Sequence, residues 1–381
     1  MTDWTITGGR VLRDAALQSG DLHLSGARVA AEAAPGARRF DAEGLLVLPG
    51  IVDIHGDAHE RQFQPRPGIG MPAALALRDS EAQMLAAGIT TAFLGVTLSW
   101  EPGLRSIEAW RGLLTALDAA RPHLAADLRV HLRFEADNLG ALGEALADIA
   151  AGRVHLVAFN DHTPGILRKL GSDSAASKYA ERAGMGTAAF RTLAEAVASR
   201  RDGVPAGRER LAAAARAAGL PMASHDEASV GERGAFRALG AAICEFPMAE
   251  EVALAARAAG EAVVMGAPNV VRGGSHLGWA SAAPLAERGV VTVLASDYVW
   301  PALLEAPFVL AERGVLDLPA AWALVSANPA LATGLTDRGA LRPGLRGDVV
   351  LVEPARHAPV ASFCAGRLAW ISAEGAARLA A

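Results

Sequence analysis

Several short β-like runs in the middle of the chain end in a residue able to hold a cation or move a proton. In order these are His55 and Asp57, Glu135 and Asp137, Asp161 and His162, His225 and Asp226, Glu245, Asn269 and Asp297. Imidazole nitrogens and carboxylate oxygens in such a mixture are the donors preferred by zinc and harder divalent ions. His55-Gly56-Asp57 sets two donors two residues apart. At the end of a strand, that spacing sends both side chains to the same side. A lone His-x-Asp pair is a common coincidence, and its weight here comes from the donors at the other strand ends. The chemistry such a set would support is hydrolysis by metal-activated water.

These residues need a frame that brings distant strand ends together. The runs are GIVDIHGD (50–57), GITTAFLGV (88–96), LRVHLRFEAD (128–137), VHLVAFNDH (154–162), LPMASHDE (220–227), AAICEFP (241–247), AVVMGAPNV (262–270) and GVVTVLASDY (289–298). Ala-rich helical segments such as ALGEALADIAAG lie between them. Eight β/α units over 50–334 predict an α/β fold of the (β/α)8 TIM-barrel type, whose sites lie at the C-terminal strand ends. An open doubly wound sheet is the competing arrangement, and polar residues gathered at the run ends favour the barrel. The two chain ends, 1–49 and 335–381, read instead as short strands with Gly-rich turns and predict one small β-sandwich domain built from both. After His162 a long connection, about 163–215, reads as a lid or binding element and contains both lysines of the chain, Lys169 and Lys178.

Composition sets the outer limits. Of 381 residues, 51% are hydrophobic and 20% charged, which excludes global disorder. A net charge of -5 lacks the basic excess of a nucleic-acid binder. The two cysteines, Cys244 and Cys364, exclude a disulfide framework and a Cys-based zinc site. No apolar run is long enough to span a membrane. The opening MTDWTITGGR has neither the basic start nor the apolar run of an export signal, so a cytoplasmic enzyme is expected.

LPGIVDIHGD, the His-Asp at the fifth run, Ala-Ser-Asp at the eighth and the closing LRPGLRGDVVLVEP together resemble the amidohydrolase superfamily. That resemblance spans essentially the whole chain. It implies a barrel with a split β-sandwich, and one or two divalent ions, zinc first with manganese or iron as alternatives. It also implies a strand-eight Asp, here Asp297, acting as base on the attacking water. One departure is that Asp57 stands where the commonest pattern has a second His. Another is that no lysine ends a β run to serve as a carboxylated bridge, and Glu135 is the natural substitute. The implied ligands are His55, Asp57, Glu135, His162, His225 and Asp297.

Further segments narrow the resemblance: HGDAHERQFQPRPG, DHTPG, SHDE, EFP, MGAPNVVRGGSH and SDY are similar to the ribose 1-methylphosphonate 5-triphosphate diphosphatases of phosphonate catabolism. The implied substrate is an anionic phosphorylated small molecule, α-D-ribose 1-methylphosphonate 5-triphosphate, split into the 5-phosphate and pyrophosphate. Arg66, Arg168, Lys178, Arg272 and Ser275 are the expected phosphate contacts, because a triphosphate needs guanidinium, ammonium or hydroxyl partners. His276 or Arg272 would neutralise the leaving group. His59 and Glu60 are expected to support the ligands from behind. GVTLSWEPG and His59 depart from the expected pattern. His23, His123, His131, His155 and His357 read as structural or exposed. Two other readings stay open: a C–N amidohydrolase using Asp226-Glu227 for proton transfer, and a non-catalytic barrel scaffold. Members of the superfamily often form homo-oligomers.

Overall fold

In the computed structural model, which describes residues 2–66, 68–275 and 278–379, eight parallel strands follow one another in sequence order. They are Ile51–Gly56, Ile89–Leu98, Asp127–Glu135, Leu156–Asn160, Met222–His225, Ile243–Glu245, Ala262–Gly266 and Val293–Ala295. Past the strand ends the eighth run returns to the first. The Asp297 N–H donates to the His55 carbonyl at 2.9 Å, and the Asp57 N–H to the Asp297 carbonyl at 2.8 Å. The expected (β/α)8 barrel is therefore present, and an open sheet is set aside. Asp53 latches the closure, with Oδ2 2.5 Å from Ser296 Oγ and Oδ1 accepting the Ser296 N–H at 3.1 Å. Burial pushes Asp53 up to about 6 in spite of those bonds.

The strands are buried on both faces, as expected of a parallel sheet covered by helices. Val52, Ile54, Phe93, Leu156, Ala158 and Val264 fill the barrel interior. Outside, helix Ile107–Ala120 shows how the covering layer is specified. Ser106 caps its start by accepting the Ala109 N–H, and Trp110, Leu113, Leu114 and Leu117 form one buried stripe. Truncating one such leucine to alanine costs about 2–5 kcal/mol.

A second sheet contains strands from both chain ends. Leu46–Pro49 runs parallel to Trp4–Arg13 and antiparallel to Val349–Glu353, so it joins the two termini in one sheet. Trp4 and Phe40 meet Phe363 edge-on at 5.3 and 6.2 Å in its core. Arg338 ties the returning chain to the barrel through Asp127 Oδ2 at 2.7 Å and Thr91 Oγ1 at 2.8 Å.

The long connection after His162 is helical. Thr163–Lys169, Asp173–Arg182 and Thr187–Ala198 enclose their own small core around Ile166, Leu170, Ala180 and Phe190, against Trp100. Helix Val204–Ala217 then packs on Leu142–Ala150. Arg201 pairs with Asp137 and with Asp161, and Arg208 reaches the Asp161 Oδ2 at 2.6 Å. Two of the acidic strand-end residues thus anchor the insertion to the barrel.

Candidate active site

The barrel mouth is shaped by backbone as well as side chains. Asp226, Phe246 and Asp297, each just past a strand end, have φ of 58°, 53° and 55°. The left-handed region is uncommon for non-glycine residues and costs about 1–3 kcal/mol, and such strain concentrates at functional sites. Each of the three N–H groups donates to the next strand: Asp226 to Glu245, Phe246 to Val264, Asp297 to His55. The chain thereby leaves each strand while keeping the rim hydrogen-bonded.

At the floor, His55 Nδ1 lies 3.0 Å from Glu245 Oε2, and His131 Nε2 lies 3.8 Å from the same oxygen. All three side chains are fully buried. Burial, reinforced by Arg133 and His225, holds His55 well below the ordinary histidine value. Burial likewise takes His131 down to about 3 and pushes Glu245 up. The histidines are therefore neutral at pH 7 and offer lone pairs. His225 stands beside them, its ring 5.1 Å from that of His55. Donor atoms of His55, His225 and Glu245 lie within 4.8 Å of one another, as do those of His162, His225 and Asp226. His131 Nε2 and Glu245 Oε1 are buried without a hydrogen-bond partner, and His225 Nδ1 lies 3.2 Å from Asp226 Oδ2. Neutral imidazoles and a carboxylate with spare lone pairs fit a divalent cation.

Asp57 and Asp297 flank this set. Asp57 Oδ2 accepts from Arg133 Nη1 at 3.3 Å. Burial, then the charge of Asp57, pushes Asp297 up to about 7, which suits a carboxylate that must gain and lose a proton. Behind them Glu60 holds Arg105 through two bonds of 3.0 and 3.1 Å. His59 is buried, its Nδ1 unpartnered and its ring edge-on to Phe63.

Glu135 and His162 stand slightly apart. Glu135 Oε2 meets His162 Nδ1 at 3.0 Å, and Oε1 accepts the His162 and Thr163 N–H groups at 2.8 and 3.2 Å. The carboxylate thus fastens the start of the helical insertion. Burial works against it, yet bonds to Asp226 and Glu135 raise His162 to about 9. For Asp226 burial is likewise overcome, by His225 and His162, and the carboxyl is held well below its usual range.

Two cavities open from this centre. The larger, about 660 Å³, is lined by Arg105, Arg168, Lys169 and Arg208 as well as His162 and Glu232. The smaller, about 280 Å³, is lined by Phe246, Met265, Trp279, Tyr298, Ser275 and Asp297. Both share Arg133, His225 and Asp226. Arg168 and Ser275 therefore face the cavities. Lys178 is exposed on its helix and Arg66 in a turn closed on Ile69, and neither borders these two cavities. Arg272 is exposed at the end of Ala267–Arg272 and borders neither cavity. His276 lies outside the described residues. Glu227, the second half of the Asp226-Glu227 pair, is locked to Arg233 at 2.9 Å.

Three residues of the centre lie outside the ligand and catalytic set expected from the sequence: His131, Arg133 and Glu245, the last noted there only as a strand-end donor. A signal for the first two was present. In LRVHLRFE, His131, Arg133 and Glu135 occupy alternate positions and so share one face of the third strand.

Comparison with known proteins follows this geometry. The chain is 34% identical over 346 residues to α-D-ribose 1-methylphosphonate 5-triphosphate diphosphatase of Escherichia coli K12, covering 88% of this chain and 91% of that one. No family model matches. Among solved structures, a triazine hydrolase variant superposes with a TM-score of 0.65 at 14% identity over all of both chains. A β-aspartyl dipeptidase from Fervidobacterium islandicum gives 0.62 at 14% identity, covering 97% of this chain and 99% of that one. Dihydropyrimidinase from Brevibacillus agri gives 0.56 at 13% identity over 96% and 95%. At these identities the structural likenesses speak for the fold.

Proposed function

Because the chain belongs to the amidohydrolase superfamily, in the family of the α-D-ribose 1-methylphosphonate 5-triphosphate diphosphatases, we propose that it hydrolyses a phosphoanhydride of an anionic sugar phosphonate. The substrate favoured is α-D-ribose 1-methylphosphonate 5-triphosphate, with the 5-phosphate and pyrophosphate as products. The observation that carries this reading is the larger cavity, where exposed Arg168 and Lys169 border the same space as His162 and His225, with Arg105 and Arg208, paired to Glu60 and Asp161, also in its lining. A triphosphate needs such cations, whereas a neutral amide does not.

His55, His225 and Glu245 would hold a divalent ion, zinc in the first instance, with Asp57 and Asp297 beside them. When bound, that ion supplies acidification of water and polarisation of a phosphoryl oxygen. The residues of the chain do the rest. Asp297 takes the proton from the attacking water. The new O–P bond forms at the α-phosphorus as the bond to the β-phosphate oxygen breaks, and pyrophosphate leaves with that electron pair. Arg168 and Lys169 neutralise the charge on the departing group. The aromatic wall of the smaller cavity, Phe246, Trp279 and Tyr298, receives the sugar. Asp226, kept ionised, holds His162 and His225 in orientation.

Hydrolysis in ¹⁸O-enriched water tests the reaction. Label in the sugar 5-phosphate is expected. Label in released orthophosphate or only in pyrophosphate would move the attack to another phosphorus and overturn this assignment.

A further inference from the structure

Arg133 lies where the two cavities meet and lines both. It comes from near the C-terminal end of the third barrel strand, and its side chain is only 6% exposed. Nη1 reaches Asp57 Oδ2 at 3.3 Å, and Nη2 lies 3.1 Å from His225 Nε2. Nε is buried without a hydrogen-bond partner. Both partners of this guanidinium belong to the set that would receive a divalent ion. A neutral imidazole nitrogen has one lone pair, so His225 Nε2 either accepts from Arg133 or binds a cation. An arginine does not escape by losing its proton.

We infer that Arg133 competes with the divalent ion for His225 and Asp57, and that, once displaced, it is the receptor for the anionic group of the substrate at the bond being cut. The inference rests on the phosphoanhydride reading and deepens it. Arg133 gives up two partners when the cation binds. Its charge, still enclosed, then needs an anion at the cavity junction. A phosphoryl group brings charged oxygens there, and a neutral amide brings none. Arg133 thus selects an anionic reacting centre, on a fold shared with the dipeptidase and the dihydropyrimidinase. It also sets an order: metal first, then substrate.

The test uses the full chain with Arg133→Met and Arg133→Lys, and two readouts besides turnover. The first is zinc affinity, by competition with a chelator. The second is affinity of the zinc-loaded protein for inorganic pyrophosphate, by calorimetry. Removing the competing charge should tighten zinc binding in Arg133→Met. The same variant should bind pyrophosphate about 10- to 100-fold more weakly, the worth of one charge-assisted hydrogen bond. Arg133→Lys keeps a charge, so it should recover part of the pyrophosphate affinity and keep zinc affinity near that of the unaltered protein. Weaker zinc binding in Arg133→Met would make Arg133 a support for the ligands and overturn the competition. Unchanged pyrophosphate affinity would overturn the receptor role. Failure of the functional reading shows separately, as unaltered protein that takes up zinc and pyrophosphate yet leaves the triphosphate intact.

Discussion

Replacing Glu245 by Gln separates a metal-holding carboxylate from a structural one. The two side chains have the same shape, so the packing of the barrel floor is kept. Metal-free, the variant should lose little stability, because burial already disfavours the Glu245 charge. The bond to His55 Nδ1 at 3.0 Å becomes a neutral one, worth about 1 kcal/mol instead of about 1.5–3 kcal/mol, partly offset by the relieved desolvation. Metal-loaded, the loss is larger. Weakening a ligand or the partner that orients it lowers metal affinity about 10- to 100-fold, or about 1.4–2.7 kcal/mol. At fixed saturating zinc that same energy disappears from the stabilisation conferred by the ion. For 381 residues, at about 2 cal/mol/K of unfolding entropy per residue, this shrinks the zinc-induced rise in Tm by about 2–3 °C. The assay is scanning calorimetry with and without zinc, beside a chelator competition. An unchanged zinc increment in the variant would refute the reasoning, and so would a metal-free Tm lowered by many degrees.

Asp297→Asn should cut turnover about 10²- to 10⁴-fold, the usual worth of a general base, with fold and most bound metal retained, as steady-state rates and metal analysis would show. The double substitution Arg168→Ala with Lys169→Ala should raise KM about tenfold or more while leaving Tm within about 1 °C, since both side chains are exposed at the larger cavity. Arg201→Met leaves buried Asp137 without its cation and should loosen the insertion by about 1–3 kcal/mol, read as faster limited proteolysis between residues 163 and 203. Asp127 faces Arg129 and Arg338, and although burial opposes them they hold its carboxyl below the ordinary value. Its contribution is therefore present above the unfolded pKa of about 3.9 and lost as pH falls through the folded one, and Arg338→Gln should flatten that acid limb of Tm against pH.

The barrel was legible because its strands are buried runs that end in polar residues. The terminal sheet was legible because both ends carry short strands with Gly turns. The gathering of His55, Asp57, His225 and Asp297 at one centre was legible because each sits at a strand end next to a turn. Glu245 stood at such an end too, but three residues of strand say little about which neighbour its carboxylate will meet. His131 lies four residues inside the third run, so it reads as core until the barrel curvature brings it under Glu245. The long-range pairs were the least legible. Glu135 orients His162 and the insertion because Thr163 begins a helix at that point, and Asp161 takes two arginines from segments 40 and 47 residues away. Basic residues were the hardest to place by type alone: Arg168 faces the cavity, whereas Lys178, on the next helix, is exposed away from it.

The most direct measurement is phosphorus NMR of zinc- or manganese-loaded protein with α-D-ribose 1-methylphosphonate 5-triphosphate, beside a chelator-treated sample. Pyrophosphate and the 5-phosphate should appear together in the loaded sample and neither in the stripped one. An intact triphosphate in protein shown to carry its metal would contradict the account.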